Sequence, residues 1–335
     1  MPIAYLLRRI ALAGPTLLGV ALFVFVLIRI APGDPIAMMV TGEATPDDIA
    51  RLRAVYGLDH SIPVQFLIFL RDIATGHFGT SISLHQDVLS LVFERLPATL
   101  ELAVTAMLLS MACGLTFALV SVYWRGRWPA AVVDAIAAAA LAVPEFLWAL
   151  LLILLFGVAI PWLPISGRIE PESIAEFHTQ FYLVESFLTG RFSLAGEVLA
   201  HLVLPALALA LPLTAVIARV LKSSLLQAAD QEYVLLARAK GFGPGYVLWH
   251  HLLPNALIPA VTISGVHFTL LLGGTVLVEL IFSYPGIGNM LYGAAINRDL
   301  PLIQGITIVF AVMFIFMNIL IDCSYALMNP RVRQG

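Results

Sequence analysis

Six stretches of this chain are long and apolar enough to cross a bilayer, and no other feature restricts its fold as strongly. A helix needs about 20 mostly apolar residues to span the hydrocarbon core. Residues 10–28 and 102–124 carry no charge, and 131–160 is apolar apart from Asp134 and Glu145. Residues 198–218, 259–278 and 300–321 complete the set. In lipid each backbone N–H and C=O must be satisfied within the protein, which leaves helices as the reading for runs of this length. Composition agrees: 12% of residues are charged and mean hydropathy is +0.95, where soluble chains carry about a quarter charged. The expected fold class is an all-α polytopic membrane protein with six transmembrane helices.

Arg8-Arg9 followed by an apolar run resembles a secretory leader, but the run is too long and no small-residue cleavage pattern follows. It is read as an uncleaved first span. Cys113 and Cys323 both lie in apolar runs with no metal-ligand spacing, so they read as small packing residues. With an internal N-terminus, the short inner loops and termini carry Arg8, Arg9, Arg125, Arg127, Arg219, Lys222, Arg238, Lys240, Arg331 and Arg333. The short outer loops then carry Arg168, Arg191 and Arg298. This bias predicts both termini on the cytoplasmic side.

Residues 1–30 form the first transmembrane helix in this reading, and 31–97 form an external helical segment. Thr45 as N-cap, Pro46 at the first helical position and Asp47-Asp48 in the first turn predict a helix that stops at Gly57. A second amphipathic helix is expected over 61–74 and a third over 86–96. Together they make a small cap, too short for a self-sufficient core. Residues 98–335 hold the remaining five helices.

Between the fourth and fifth spans lies 231–262, QEYVLLARAKGFGPGYVLWHHLLPNALIPAVT. Residues 233–240 read as a short helix, Gly241 stands where a C-cap glycine belongs, and Gly243-Pro244-Gly245 forces a turn. A second helix over 246–253 then meets Pro254-Asn255 and leads back towards the membrane. The stretch resembles the cytoplasmic coupling loop of binding-protein-dependent ABC importers, written E-A-A-x3-G-x9-I-x-L-P. Ala237, Gly241, Leu253 and Pro254 match, whereas Leu235, Leu236 and His251 stand at the glutamate, first-alanine and isoleucine positions. The chain is more closely similar to the dipeptide and oligopeptide permease branch. Tyr233-Val234, Ala237-Arg238-Ala239-Lys240-Gly241 and Asn255-Ala256-Leu257-Ile258-Pro259 carry that likeness. So do Pro32-Gly33-Asp34-Pro35, Glu279 within VELIFS, Pro285-Gly286-Ile287-Gly288, Arg298-Asp299 and the tail from Asn329.

The resemblance implies an inner-membrane permease subunit of a bacterial ABC importer, conducting peptides and driven by ATP hydrolysis on separate subunits. Residues 31–97 would then be periplasmic, and 222–258 would hold the coupling loop, with Tyr233, Ala237, Arg238, Ala239, Gly241, Leu253 and Pro254 contacting the ATPase. Implied partners are a second related permease, two ABC ATPases, a periplasmic solute-binding protein and the lipid bilayer. Nucleic acid and cofactors are not expected. The same architecture serves nickel chelates, glutathione and oligosaccharides. The chain's two lysines, Lys222 and Lys240, do not follow a Gly-x4-Gly pattern, so no P-loop is present and no enzymatic activity is expected. A secondary transporter would favour inverted repeats and mid-membrane ion ligands. An intramembrane hydrolase would need paired aspartates or a zinc motif, and neither is seen.

Ionisable residues in spans are costly and must face protein, water or an interface. Asp134, Glu279 and Asp322 fall near span ends and read as interfacial. His201 and His267 read as packed or pore-facing, not as metal ligands. Glu145, beside Pro144 near mid-span, leaves two readings open: a path-lining carboxylate that meets a peptide ammonium, or a carboxylate that stabilises a kink.

Overall fold

The computed structural model describes residues 3–30, 59–170 and 177–328. In chain order the helices are α1 (Ile3–Ile30), α2 (Ile62–Ala74), α3 (Val88–Tyr123), α4 (Trp128–Ala142) and α5 (Glu145–Ile153, extended by π-type turns over Leu154–Ala159). They continue with α6 (Tyr182–Leu188), α7 (Phe192–Ala229), α8 (Glu232–Ala239) and α9 (Pro244–Val247, followed by a π-type segment Leu248–Leu252). The last three are α10 (Leu253–Ile281), α11 (Ile287–Ile296) and α12 (Leu300–Met328). An isolated Thr80–Asp87 bridge is the extended pairing among the described residues.

Four helical runs are long and apolar enough to cross a membrane: Val88–Tyr123, Phe192–Ala229, Pro244–Ile281 and Leu300–Ile321. The pair Trp128–Ala142 and Glu145–Ala159 is a fifth if taken as one span, bent by 105°. The break is local chemistry: Val143, preceding a proline, is extended at φ −106°, ψ 126°, and Pro144 starts α5. The first expected crossing, 10–28, falls on a shorter apolar stretch of α1, Ala11–Leu27.

Several expected boundaries move. The helix expected over 86–96 is the start of α3, which runs unbroken through Pro97. The helix expected over 246–253 is α9 with its π-type segment, and it runs on without a break into α10, which contains Pro254 in its first turn and Pro259 inside. Pro254 suits the start of α10, because a proline in the first helical turn lacks only an N–H that has no partner within the helix. The expected α2 is present, with Ser61 as N-cap and Pro63 in the first turn. The helix starting at Thr45 and the Pro32–Pro35 turn lie outside the described residues, as does the side chain of Asp322.

The chain divides into two compact units. In that of Pro2–Leu96 with Met290–Phe316, Phe25 of α1 is buried with its ring 5.1 Å from that of Phe66 on α2. The Arg29 guanidinium lies over the Phe25 ring, 3.4 Å from its centroid. In the unit of Pro97–Asn289 with Met317–Gly335, α7 is central, and α4, α5, α6 and α10 pack against it. Two-thirds of its apolar window (67%) is buried, against 39% for the Pro244–Ile281 run. Ala206, Ala208, Ala210 and Ala215 are among its buried residues. Small residues let backbones approach, which is how packing stabilises helices where lipid removes the hydrophobic drive.

Candidate functional site

The loop between α7 and α10 is a built hairpin. On α8, Val234 and Ala237 are buried with Leu225 and Ala228 of α7, Val247 of α9, Leu248 and Leu252 of the π-type segment, and Leu253 and Ala256 of α10. The helix ends in a Schellman cap: Gly241 N–H donates to the Arg238 carbonyl at 2.9 Å, and Phe242 N–H to the Ala237 carbonyl at 3.3 Å. Gly241 sits at φ +84°, a conformation in which a Cβ is strained. Asn255 Nδ2 donates to Tyr233 Oη at 3.2 Å, linking the two arms.

The seven candidate coupling residues separate into two roles. Ala237 and Leu253 are buried and hold the hairpin together, while Tyr233, Arg238, Ala239, Gly241 and Pro254 are exposed. Sequence reading missed the apolar surface beside them. Leu235 and Leu236, both 58% exposed, stand where the general pattern has glutamate and alanine. Phe242, Tyr246 and Trp249 are exposed on the same hairpin. A loop facing only water has no use for such a surface, whereas a protein groove does.

Glu145 lies at the α4–α5 elbow, half-buried, with its carboxylate against Gly274 of α10. It makes no hydrogen bond among the described residues. Asp134 is bonded rather than simply interfacial: Lys222 Nζ donates to Oδ2 at 2.6 Å and Ser121 Oγ to Oδ1 at 2.7 Å. His201 is buried, with Nδ1 3.0 Å from the Glu197 carbonyl oxygen. No group of three metal-binding side chains occurs among the described residues.

Glu279 overturns its interfacial reading, because it is fully buried. Thr99 Oγ1 donates to its Oε1 at 2.6 Å and Asn289 N–H to Oε2 at 3.0 Å. The carboxylate thereby seats on the first turn of α11, where free N–H groups favour an anion. Its backbone partner completes the corner: Tyr284 N–H donates to the Glu279 carbonyl at 2.8 Å.

The segment before α7 is tied down by a second buried charge. Arg168 and Glu101 pair at 2.7 Å with 4% of each side chain exposed. Glu101 also accepts from Leu183 N–H at 2.9 Å, and Arg168 stacks 3.8 Å above the Tyr182 ring. Glu185 of α6 accepts from His178 N–H at 2.8 Å and from Thr179 N–H at 2.6 Å. Those amides, with the Thr179 hydroxyl, hold its carboxyl down at about 2. In the other unit, Asp299 accepts from Ser81 Oγ at 2.6 Å and Ser83 Oγ at 2.7 Å. Burial pushes its carboxyl up, but the hydrogen bonds from Ser81, Ser83 and Ile82 outweigh that and hold it below the usual range.

A helical core with several membrane-length apolar helices and an ordered, apolar-faced hairpin has the build of a membrane-transport component. The chain belongs to the family described as "Binding-protein-dependent transport system inner membrane component", matched over residues 110–334, and its N-terminal counterpart matches residues 2–103. It is 38% identical to the Di/tripeptide transport system permease protein DppB of Pseudomonas aeruginosa, over 99% of both chains. It is 34% identical to the Dipeptide transport system permease protein DppB of Alkalihalophilus pseudofirmus, again over 99% of each. The Glutathione transport system permease protein GsiC of Salmonella choleraesuis is 33% identical over 98% of both. Among solved structures, the MetNI methionine ABC transporter in inward-facing form matches with TM-score 0.54 at 15% identity, covering 71% of this chain and 96% of that one. An amino acid ABC transporter with histidines matches with TM-score 0.51 at 16% identity, covering 70% and 93%. These two support the fold alone.

Proposed function

We propose that this chain forms half of the translocation path of a peptide importer, with six spans, both termini cytoplasmic, and 31–97 periplasmic. The carrying observation is the 34–38% identity, along nearly the full length, to permeases named for dipeptides and tripeptides. In this reading the hairpin of α8 and α9 docks into a groove on a cytoplasmic ATPase. Tyr233, Arg238, Ala239, Gly241 and Pro254 face that partner, and Ala237 and Leu253 transmit its movement into α7 and α10. A second, related permease completes the path, two ATPases drive it, and a periplasmic binding protein delivers substrate. Glu145, at the elbow of the bent pair, is proposed to line the path. The glutathione permease relative favours one second reading, in which the cargo is glutathione, itself a short peptide.

Proteoliposomes holding this chain, the second permease, the ATPases and the binding protein provide the test. Labelled dipeptide should accumulate only with ATP on the hairpin side. Uptake driven by a proton gradient without ATP would overturn the reading, and uptake by two copies of this chain alone would overturn the unlike pair.

A further inference from the structure

We propose that the cleft between α3, α4 and α7 is a binding site for an anionic phospholipid, a role separate from the transport reading above. The cleft encloses about 250 Å³, well beyond the share of a single water, about 30 Å³. It has two chemically distinct ends. At one, Ser121, Asp134, Arg219 and Lys222 line it; at the other the wall is made of small apolar residues, including Ala138 and Ala215.

The polar end holds excess positive charge. Asp134 is committed to Lys222 and Ser121 by bonds of 2.6 and 2.7 Å. Arg219 is exposed and makes no ion pair among the described residues. Two cations therefore line a cleft whose one carboxylate is bonded to Lys222, which leaves the Arg219 guanidinium for a phosphodiester, the oxyanion that its fork matches.

The level in the bilayer also fits. Ser121 is near the end of α3, Asp134 is in the second turn of α4, and Lys222 is two turns before the end of α7. At 1.5 Å per residue this places Asp134 and Lys222 roughly 10 Å, and Arg219 roughly 15 Å, inside the helix ends, where headgroups meet acyl chains. The apolar end can then take the first part of a chain. Basic pockets between membrane helices hold acidic headgroups in this way. A soluble anion would use the charges but gain nothing from the alanine wall.

Native mass spectrometry of the intact complex, with added dioleoyl-phosphatidylglycerol or dioleoyl-phosphatidylcholine, tests the idea. Phosphatidylglycerol should be retained at least tenfold over phosphatidylcholine. Arg219→Gln should cut that retention about tenfold, and Ala138→Trp, which fills the exposed side of the cleft, should do the same. Arg127→Gln removes a charge outside the cleft and should leave retention unchanged. Millimolar glycerol 1-phosphate should not displace the lipid. Equal retention of both lipids, wild-type retention in Arg219→Gln, equal losses in Arg127→Gln, or displacement by glycerol phosphate would each overturn the proposal. ATP-driven dipeptide uptake is measured separately, so failure here leaves the transport reading intact.

Discussion

Thr99 and Glu279, 180 residues apart in sequence, meet through a 2.6 Å hydrogen bond buried inside the helical core. The same threonine oxygen accepts from Ile287 N–H at 2.9 Å, so one side chain joins α3, the end of α10 and the start of α11. Gly286 makes room for this: a Cβ there would collide with the Glu279 carboxylate. Gly293, within α11, has no atom within 4 Å of such a Cβ. Gly286→Ala is therefore expected to lower folded yield and thermal stability, whereas Gly293→Ala is near neutral. Detergent-solubilised protein followed by size-exclusion chromatography on heating measures both. Equal behaviour of the two variants would remove the carboxylate seat as a determinant of the corner.

The Arg168–Glu101 pair should show the asymmetry of a buried ion pair. Removing one partner strands the other charge and costs about 3–5 kcal/mol, while replacing both with apolar groups of similar size is often neutral. Glu101→Gln and Arg168→Met should each loosen the segment before α7, read as faster amide exchange over 177–190. The Glu101→Leu, Arg168→Met double variant should recover most of the protection. Additive losses in the double variant would show that the pair is not the anchor.

Acid should act on α6 in a defined window. Glu185 has its folded carboxyl depressed to about 2 from 4.5 by the His178 and Thr179 amides. Its contribution is thus complete above about pH 4.5 and is lost as pH falls through 2. Amide protection at 178–179 is expected to hold flat from pH 8 to 5 and to fall below pH 4. Loss of protection already between pH 7 and 5 would assign the control to another group.

Much of this was legible in the sequence, and the remainder has physical causes. Apolar runs located the long helices because a helix in lipid needs only length and hydropathy to be recognised. Gly241 marked the end of α8 because a left-handed C-cap is a local requirement. The helices expected over 86–96 and 246–253 are instead continuous with α3 and with the run into α10; Pro254 falls in the first turn of α10, where a proline lacks only an N–H that has no partner within the helix. Helix α6 is seven residues long and held by Glu101, Arg168 and Glu185, so no periodicity could announce it. Glu279 and Asp299 sat in recognisable motifs, but their partners Thr99 and Ser81 lie 180 and 218 residues away. Leu235 and Leu236 looked like departures from a pattern, and only their exposure showed that they add apolar area to the hairpin.

Gly241 and Gly126 form a matched pair for testing the proposed coupling role of the hairpin. Both have positive φ, +84° and +79°, and in both a Cβ would meet no atom within 4 Å. A valine therefore meets the same obstacle at each: left-handed backbone strain on the order of 1–2 kcal/mol, without collision. Neither should prevent insertion of a bundle whose packing lies elsewhere. The consequences differ by location. At Gly241 the strain is relieved by opening the Schellman cap, which swings α8 away from α9 and splits the apolar surface of Leu235, Leu236, Phe242 and Trp249. At Gly126 the same relief moves only the turn between α3 and α4. Gly241→Val is expected to lower ATPase retention about tenfold, the equivalent of ~1.4 kcal/mol, and to abolish uptake. Gly126→Val should retain both, and Gly241→Asn, which tolerates the left-handed region, should fall between. Co-purification of ATPase with the tagged permease, read beside uptake in proteoliposomes, gives the comparison. Equal losses in the two valine variants would reduce the effect to backbone strain, and wild-type retention in Gly241→Val would remove the hairpin as the coupling element.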